Sequence, residues 1–123
     1  MAKKKILVVD DEPALVELIK IRLEANGYEV SSAGDGQSAI DYVHKQKPDL
    51  IILDLMLPVL NGYKACRLLK FDRKYKDIPI LMFTARAEES DRKLGEEVGA
   101  DGYIVKPFEP NALLAKIKEL LKE

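Results

Sequence analysis

Three short apolar runs constrain the fold more than any other feature: ILVV at 6–9, LIIL at 50–53 and IPILMFTA at 78–85. Nearly continuous runs of this length are typical of parallel strands that are covered on both faces. YEVSSA at 28–33 has the weaker alternation of an edge strand, and GYIV at 102–105 adds a fifth strand. Because helical segments separate these runs, the pattern predicts five βα units in a three-layer α/β sandwich.

The predicted helices cover residues 13–26, part of 34–49, 61–71, the polar stretch 88–100, and 110–123. Gly27 and Gly99 are suited to end two of them, and Pro110 to open the last. Apolar spacing predicts the residues that face the sheet. These are Leu15, Leu18, Ile19 and Leu23 in the first helix, Ala39, Ile40 and Val43 in the second, and Tyr63, Cys66, Leu69 and Leu68 in the third.

Length and composition predict one domain over residues 1–123, because 47% apolar and 33% charged residues suit a globular protein. The net charge of -1 gives no sign of direct nucleic-acid or membrane binding. No apolar segment reaches the length of a membrane span or a signal peptide, and the single Cys66 excludes an internal disulfide. A cytoplasmic protein without an output domain is therefore expected.

Polar residues stand where four of the predicted strands end: Asp10 and Asp11, then Asp54, Thr84 and Lys106. Ligands of open parallel sheets bind outside the carboxyl ends of the strands, so these side chains are expected at one site. Each pair of carboxylates brought to about 4 Å costs roughly 4 kcal/mol at an effective dielectric near 20. A raised pKa or a bound cation relieves that repulsion.

Oxygen ligands select a hard cation, Mg²⁺ or Mn²⁺, and a magnesium ion held by few carboxylates usually also meets a phosphate. A carboxylate beside such an ion and a lysine can attack phosphorus, because both cations neutralise the transferred oxygens. The set therefore predicts a phospho-acceptor aspartate, with Thr84 donating its hydroxyl to a phosphate oxygen.

Four motifs in fixed order carry a family resemblance: VVDDEP at 8–13, LDLMLPVLNG at 53–62, FTA at 83–85 and GADGYIVKPF at 99–108. In these the sequence resembles, over essentially its whole length, the receiver domains of bacterial two-component response regulators. The resemblance implies a flavodoxin-like strand order of 2-1-3-4-5 and a cis bond between Lys106 and Pro107. It also implies phosphorylation by a sensor histidine kinase or a histidine phosphotransfer protein, docked near the first helix and the site loops.

The resemblance further implies a role for each motif residue. Asp54 matches the phospho-acceptor, and the metal ligands are Asp10 through water, Asp11 directly, Asp54, and the backbone carbonyl of Met56, whose side chain is expected partly in the core. Lys106 matches the family's lysine, and Thr84 matches its switch hydroxyl. Ala85 matches the small residue beside the phosphate, and Tyr103 matches the aromatic switch.

The stretch 88–121 is similar to receivers of the winged-helix transcription-factor class. The resemblance implies homodimers, when phosphorylated, through helix 4, strand 5 and helix 5. Arg92 or Lys93, Asp101 and Lys116 fall where that class places salt-bridge partners. Gly102 and Ala112 stand where acids are common, so a weakened or altered dimer is expected, since surface ion pairs contribute only about 0–1 kcal/mol each.

Three functions compete on these residues. In a signalling switch, phosphate on Asp54 draws Thr84 inward and Tyr103 turns behind it. A magnesium-dependent phosphohydrolase with an aspartyl-phosphate intermediate commonly has an acid two residues after the nucleophile, where Met56 cannot transfer a proton. A flavin or nucleotide binder needs free N–H groups after the first strand, where Asp10–Pro13 would repel an anion. The residues favour the switch, with the phosphohydrolase as the alternative.

Overall fold

The computed structural model describes residues 3–84, with Thr84 by its backbone only, and residues 99–123. Five strands pair in parallel in the order β2-β1-β3-β4-β5, so the predicted class and strand order are confirmed. The strands are β1 Lys5–Val9, β2 Glu29–Ala33, β3 Leu50–Asp54, β4 Ile80–Thr84 and β5 Gly102–Val105. The described helices are α1 Pro13–Ala25, α2 Gly36–Lys45, α3 Gly62–Lys70 and the C-terminal helix Pro110–Leu121.

Two separate apolar clusters show that the sheet is covered on both faces. Alternate strand residues, among them Leu7, Ile51 and Met82, pack with α2 and α3 on one face. Their neighbours, among them Val8 and Ile52, pack with α1 and the C-terminal helix on the other face. This alternation explains why the strands read as continuous apolar runs, and it confirms the predicted three layers.

Local polar contacts fix where the helices begin. Asp35 accepts a hydrogen bond from the backbone N–H of Ser38 at the start of α2, and Asn61 accepts one from Lys64 at the start of α3. Proline occupies the first turn of α1 and of the C-terminal helix, where its missing N–H costs nothing. Gly27 follows α1 with φ of 91°, as predicted for a glycine after a helix.

Strand register brings the candidate site residues to one edge. Val9 pairs with Leu53, and Asp54 pairs with Phe83. Thr84 in turn pairs with Val105, directly before Lys106. Parallel pairing therefore gathers the residues that end β1, β3, β4 and β5 at the carboxyl edge of the sheet.

Three predicted burials are wrong. Leu18 and Leu68 are exposed by 58% and 56%, because each lies at the margin of its helix's apolar stripe and turns to solvent. The Met56 side chain is 60% exposed, since it follows β3 in a loop outside the core. The fourth strand begins at Ile80 rather than residue 78, because Ile78 N–H bonds the carbonyl of Tyr75 in the preceding turn.

Residues 88–100, predicted as the fourth helix, lie outside the described residues except Gly99 and Ala100. The other predicted helices and strands are present, with ends that differ by one or two residues. Among the described helices, none combines the length and apolar character that a membrane crossing requires.

Candidate functional site

Three carboxylates converge at the carboxyl edge of the sheet. One oxygen from each of Asp10, Asp11 and Asp54 lies within 4.8 Å of the others. Asp10 and Asp54 are 3% and 4% exposed, whereas Asp11 faces solvent. The sequence placed these acids together from their positions at strand ends, and the structure confirms that grouping.

Among the residues that the structure describes, Lys106 is the cation that faces this cluster. Its Nζ donates to Asp10 Oδ2 at 2.8 Å and to Asp54 Oδ2 at 3.3 Å. Glu12 Oε1 lies 3.9 Å away, and the ammonium sits 4.9 Å from the centre of the Phe83 ring. The lysine side chain is only 15% exposed, so its charge acts in a partly desolvated setting.

Burial and neighbouring charge set the protonation of the pair. Desolvation raises the pKa of the Asp54 carboxyl, the ammonium of Lys106 works against that rise, and the charge of Asp10 adds to it. Desolvation alone would lower the pKa of Lys106, but the hydrogen bond to Asp10 and the charge of Asp54 raise it overall. Lys106 therefore remains a cation at neutral pH.

Counted over the described residues, the cluster has more negative than positive charge. Three carboxylates face one ammonium, and Met56 N–H adds a hydrogen bond of 3.2 Å to Asp54 Oδ1. Desolvated like charges at this separation favour binding of a cation, and an all-oxygen donor set suits a hard one. The residues present fit a divalent metal ion.

Two glycines hold the loop between Asp54 and α3 close to its neighbours. A Cβ on Gly62 would lie 2.1 Å from the carbonyl oxygen of Asp54, and Gly62 N–H donates to Leu55 O at 3.0 Å. A Cβ on Gly36 would lie 1.9 Å from the carbonyl oxygen of Leu60. No larger side chain fits either position without moving this loop, so both glycines help to place Asp54.

One rim of the site, on the side of Lys106, is apolar. The Lys106–Pro107 bond is cis, as the resemblance implied. Pro107 and Phe108 lie with Leu15 and Leu18 of α1 around a groove of about 420 Å³. This groove borders Lys106 and opens beside the carboxylate cluster.

Three of the remaining predicted residues have contacts elsewhere in the fold. Tyr103 is partly buried against the apolar cluster of α2 and α3. Asp101 accepts from Lys70 Nζ at 2.9 Å, and Lys116 Nζ lies 3.5 Å from Glu119. The side chain of Thr84, together with Ala85, Arg92 and Lys93, lies outside the described residues.

The family model for the response regulator receiver domain matches residues 6–118. The chain belongs to this family. Receivers are the phosphorylation-controlled modules of two-component signalling, and the aspartate cluster agrees with that function. The match accounts for the four motifs together, which separate a receiver from other proteins of the same fold.

Two curated relatives are a transcriptional regulatory protein and a DNA-binding response regulator. The alkaline phosphatase synthesis transcriptional regulatory protein PhoP of Bacillus subtilis is 48% identical over 97% of this chain and 49% of its own length. The DNA-binding response regulator MtrA of Mycolicibacterium smegmatis is 43% identical over 98% of this chain and 51% of its own length. The chain spans about half the length of the curated relatives that it matches.

Two solved structures are similar throughout. A putative response regulator from Chloroflexus aurantiacus aligns with a TM-score of 0.94 and 36% identity, covering 99% of this chain and 100% of that one. The receiver domain of the sensor histidine kinase PA1611 from Pseudomonas aeruginosa aligns at 0.91 with 32% identity, covering 99% and 100%. That structure has a magnesium ion coordinated in its active site cleft.

Sequence reasoning missed two contacts, one beside the site and one at the opposite end of the sheet. The sequence did not single out Gly36, although the Leu60 carbonyl packs closely against it. A contact between a glycine and a carbonyl distant in the chain leaves no signal in the sequence. Lys70 was not connected with Asp101, since 31 residues separate them. Basic residues recur at every third position of α3, at Lys64, Arg67 and Lys70, so the sequence offered no reason to choose Lys70.

Proposed function

We propose that Asp54 accepts a phosphoryl group from a phosphohistidine, and that the chain works as a switch rather than a turnover enzyme. The observation that carries this proposal is the meeting of Asp10, Asp11 and Asp54 with Lys106 at the open end of a buried sheet. Asp54 is the last residue of β3, where its carboxylate is held by Lys106 and by Met56 N–H. Met56 offers no proton-transfer group, which supports a persisting phosphoaspartate over a phosphohydrolase.

Asp10, Asp11, Asp54 and the backbone carbonyl of Met56 are the residues that would hold Mg²⁺, or Mn²⁺, in this proposal. When bound, the ion neutralises phosphate oxygens and so lowers the repulsion that an anionic phosphodonor meets at three carboxylates. Asp10 is buried and hydrogen-bonded to Glu12 N–H at 2.9 Å, which fixes its orientation. Asp11 is exposed and can move to the ion.

In the transfer step, a carboxylate oxygen of Asp54 attacks phosphorus and forms an O–P bond. The P–N bond to the histidine breaks, and its electron pair leaves on the imidazole nitrogen, so no further reactant is needed. Lys106 exchanges its contact with Asp54 for one with a phosphate oxygen and stabilises the charge that develops there. The Thr84 hydroxyl binds another phosphate oxygen, beside the small Ala85.

The partner is a sensor histidine kinase or a histidine phosphotransfer protein. The apolar groove of Leu15, Leu18, Pro107 and Phe108 borders the cluster and supports docking there. Leu18 is 58% exposed at this groove, so its apolar side chain is available to a docked partner. A helix carrying the phosphohistidine would reach Asp54 from this side.

The output surface in this proposal is the face of helix 4, β5 and the C-terminal helix, switched by Thr84 and Tyr103. Arg92, Lys93, Asp101 and Lys116 are the proposed contacts of a phosphorylation-dependent homodimer. Because Asp101 already pairs with Lys70, it would have to exchange that partner to serve in the dimer. Residues 1–123 would act as one receiver domain in the cytoplasm, without binding nucleic acid or membrane themselves.

The test is intact-mass measurement after incubation with acetyl phosphate and Mg²⁺. The unmodified sequence should gain one phosphoryl group, and no adduct should form without the metal or in Asp54→Ala. Asp101→Asn is the matched control, because it removes a paired aspartate at the other end of the sheet and should leave the adduct intact. An adduct that persists in Asp54→Ala, or none with any donor, contradicts the proposal. Size-exclusion chromatography with and without the donor tests the homodimer.

A further inference from the structure

A second groove lies on the outer side of α3, away from the carboxylate cluster. Its volume is about 630 Å³, and two of its apolar side chains are largely open to solvent, Leu68 by 56% and Phe71 by 70%. None of its lining residues belongs to the phosphoryl site or to its rim. The lining residues are Leu60, Lys64, Arg67, Leu68, Phe71, Asp72 and Arg73.

The groove has cationic walls. Residues 62–77 contain six basic and two acidic residues, whereas the whole chain has a net charge of -1. In the part of the chain that the structure describes, Lys64, Arg67 and Arg73 are exposed and pair with no carboxylate. Asp72 offsets only one of these three charges, and its carboxylate accepts from Lys74 N–H at 2.8 Å in the turn after α3.

The geometry of the groove matches a helix. Lys64, Leu68 and Phe71 follow one another at i, i+4 and i+7, so they form a stripe about 10 Å long on one face of α3. The Arg67 guanidinium lies 5.8 Å from the centre of the Phe71 ring and borders that stripe. An amphipathic helix laid along such a stripe buries its apolar residues and meets charge on either side.

We propose that this groove docks an acidic amphipathic helix of a partner protein, with leucine or phenylalanine on its apolar face and glutamate or aspartate beside it. An acidic partner is chosen because its carboxylates would complement the charges of Lys64, Arg67 and Arg73. A nucleic acid fits less well, because Phe71 is the one aromatic ring among the lining residues described, Leu60 and Leu68 are aliphatic, and the Asp72 carboxylate would repel phosphate.

A second copy of this chain also fits less well. If two copies met α3 to α3, the cationic side chains of Lys64, Arg67 and Arg73 from both would face one another. Contact between two different faces would generate rings or open chains of molecules rather than a closed dimer. A separate acidic partner avoids both difficulties.

The probe is a synthetic amphipathic peptide of about four helical turns, with leucine and phenylalanine on one face and glutamate on its flanks. A matched peptide has lysine in place of every glutamate. Each is titrated into ¹⁵N-labelled, unphosphorylated protein, so the outcome does not depend on Asp54 accepting phosphate. The glutamate peptide should shift the amide signals of residues 60–73, and the lysine peptide should not.

Variants locate the contact. Leu68→Ser should weaken binding about tenfold, whereas Ile21→Ser, equally exposed on α1 at 58%, should change it less than about twofold. Arg67→Glu should weaken the glutamate peptide and restore binding of the lysine peptide.

Several results would overturn the proposal. Signals that shift on α1 instead of α3, or equal binding of both peptides, contradict an acidic partner at this groove. Self-association of the protein in sedimentation that Leu68→Ser abolishes would assign the groove to a second copy. Shifts of residues 60–73 produced by a short duplex DNA at physiological salt, with none from the glutamate peptide, would assign it to nucleic acid.

Discussion

At the amino edge of the sheet, Lys70 Nζ lies 2.9 Å from Asp101, and at the carboxyl edge Lys106 Nζ lies 2.8 Å from Asp10. The two pairs are chemically alike but differ in what surrounds them. Asp101 also accepts from Ile80 N–H at 2.9 Å, and Lys70 also donates to Ile78 O at 3.1 Å. Among the described residues, one carboxylate thus meets one ammonium there, and each of them has one further hydrogen bond to a backbone group.

The carboxyl edge has no such balance. Lys106 faces Asp10 and Asp54, and Asp11 joins the same cluster. The surplus of negative charge attracts a divalent cation, and that cation can in turn bind the oxygens of a phosphoryl group. A lysine–aspartate pair that lies among uncompensated carboxylates therefore indicates a binding site, whereas a pair of balanced charge serves the fold.

Exchange of each lysine for methionine should separate the two edges most strongly. Lys106→Met removes the charge that stabilises the transferred phosphate, so phosphorylation by acetyl phosphate should slow by about 10²–10³-fold. Lys70→Met should leave that rate within about twofold and lower the free energy of unfolding by about 1–3 kcal/mol. Stopped-flow phosphorylation kinetics and urea denaturation measure the two effects. Equal slowing of phosphorylation by both variants would contradict the difference between the two edges.

Glycine substitutions at the two edges should give the next largest difference in stability. Gly62→Ala places a methyl group against the Asp54 carbonyl and should destabilise the protein by about 3 kcal/mol. Gly99→Ala, at φ of 88° beside Lys70, should cost about 1 kcal/mol. Gly34→Ala, which meets nothing within 4 Å, should cost less than Gly99→Ala and is the control. Urea denaturation ranks the three, and a smaller loss at Gly62 than at Gly99 contradicts the tight seat of Asp54.

Neutralising one aspartate at each edge should have opposite signs. In EDTA, Asp54→Asn removes one of three clustered carboxylates and should stabilise the protein by about 1 kcal/mol. Asp101→Asn leaves Lys70 without its counter-ion and should destabilise it by about 1–2 kcal/mol. Thermal unfolding at pH 7 compares them. Loss of stability in both variants would show that the carboxylates of the site are not in surplus.

Particular residues show what the sequence could and could not predict. Strand positions, the grouping of Asp10, Asp11 and Asp54, and the contact with Lys106 followed from apolar periodicity and the geometry of parallel sheets. The cis bond before Pro107 followed only from the family resemblance.

Other features depend on contacts that periodicity does not encode. Leu18 was predicted as buried, but its side chain is exposed. Apolar spacing along a helix does not show how wide the buried face is. The pairing of Asp101 with Lys70, and the seating of Leu60 on Gly36, arise only when distant segments meet. The roles of Thr84 and Tyr103 in switching stay predictions.

The surplus of charge at the carboxyl edge is tested most directly by thermal unfolding in EDTA and in Mg²⁺. Binding to the folded state alone raises the free energy of unfolding by about 2.7 kcal/mol at a Mg²⁺ concentration one hundred times Kd. The unmodified sequence should therefore melt at a higher temperature in Mg²⁺. Asp101→Asn should keep that rise, and Asp11→Asn, at an exposed position, should lose most of it. No rise in the unmodified sequence, or an equal rise in Asp11→Asn, would contradict the account.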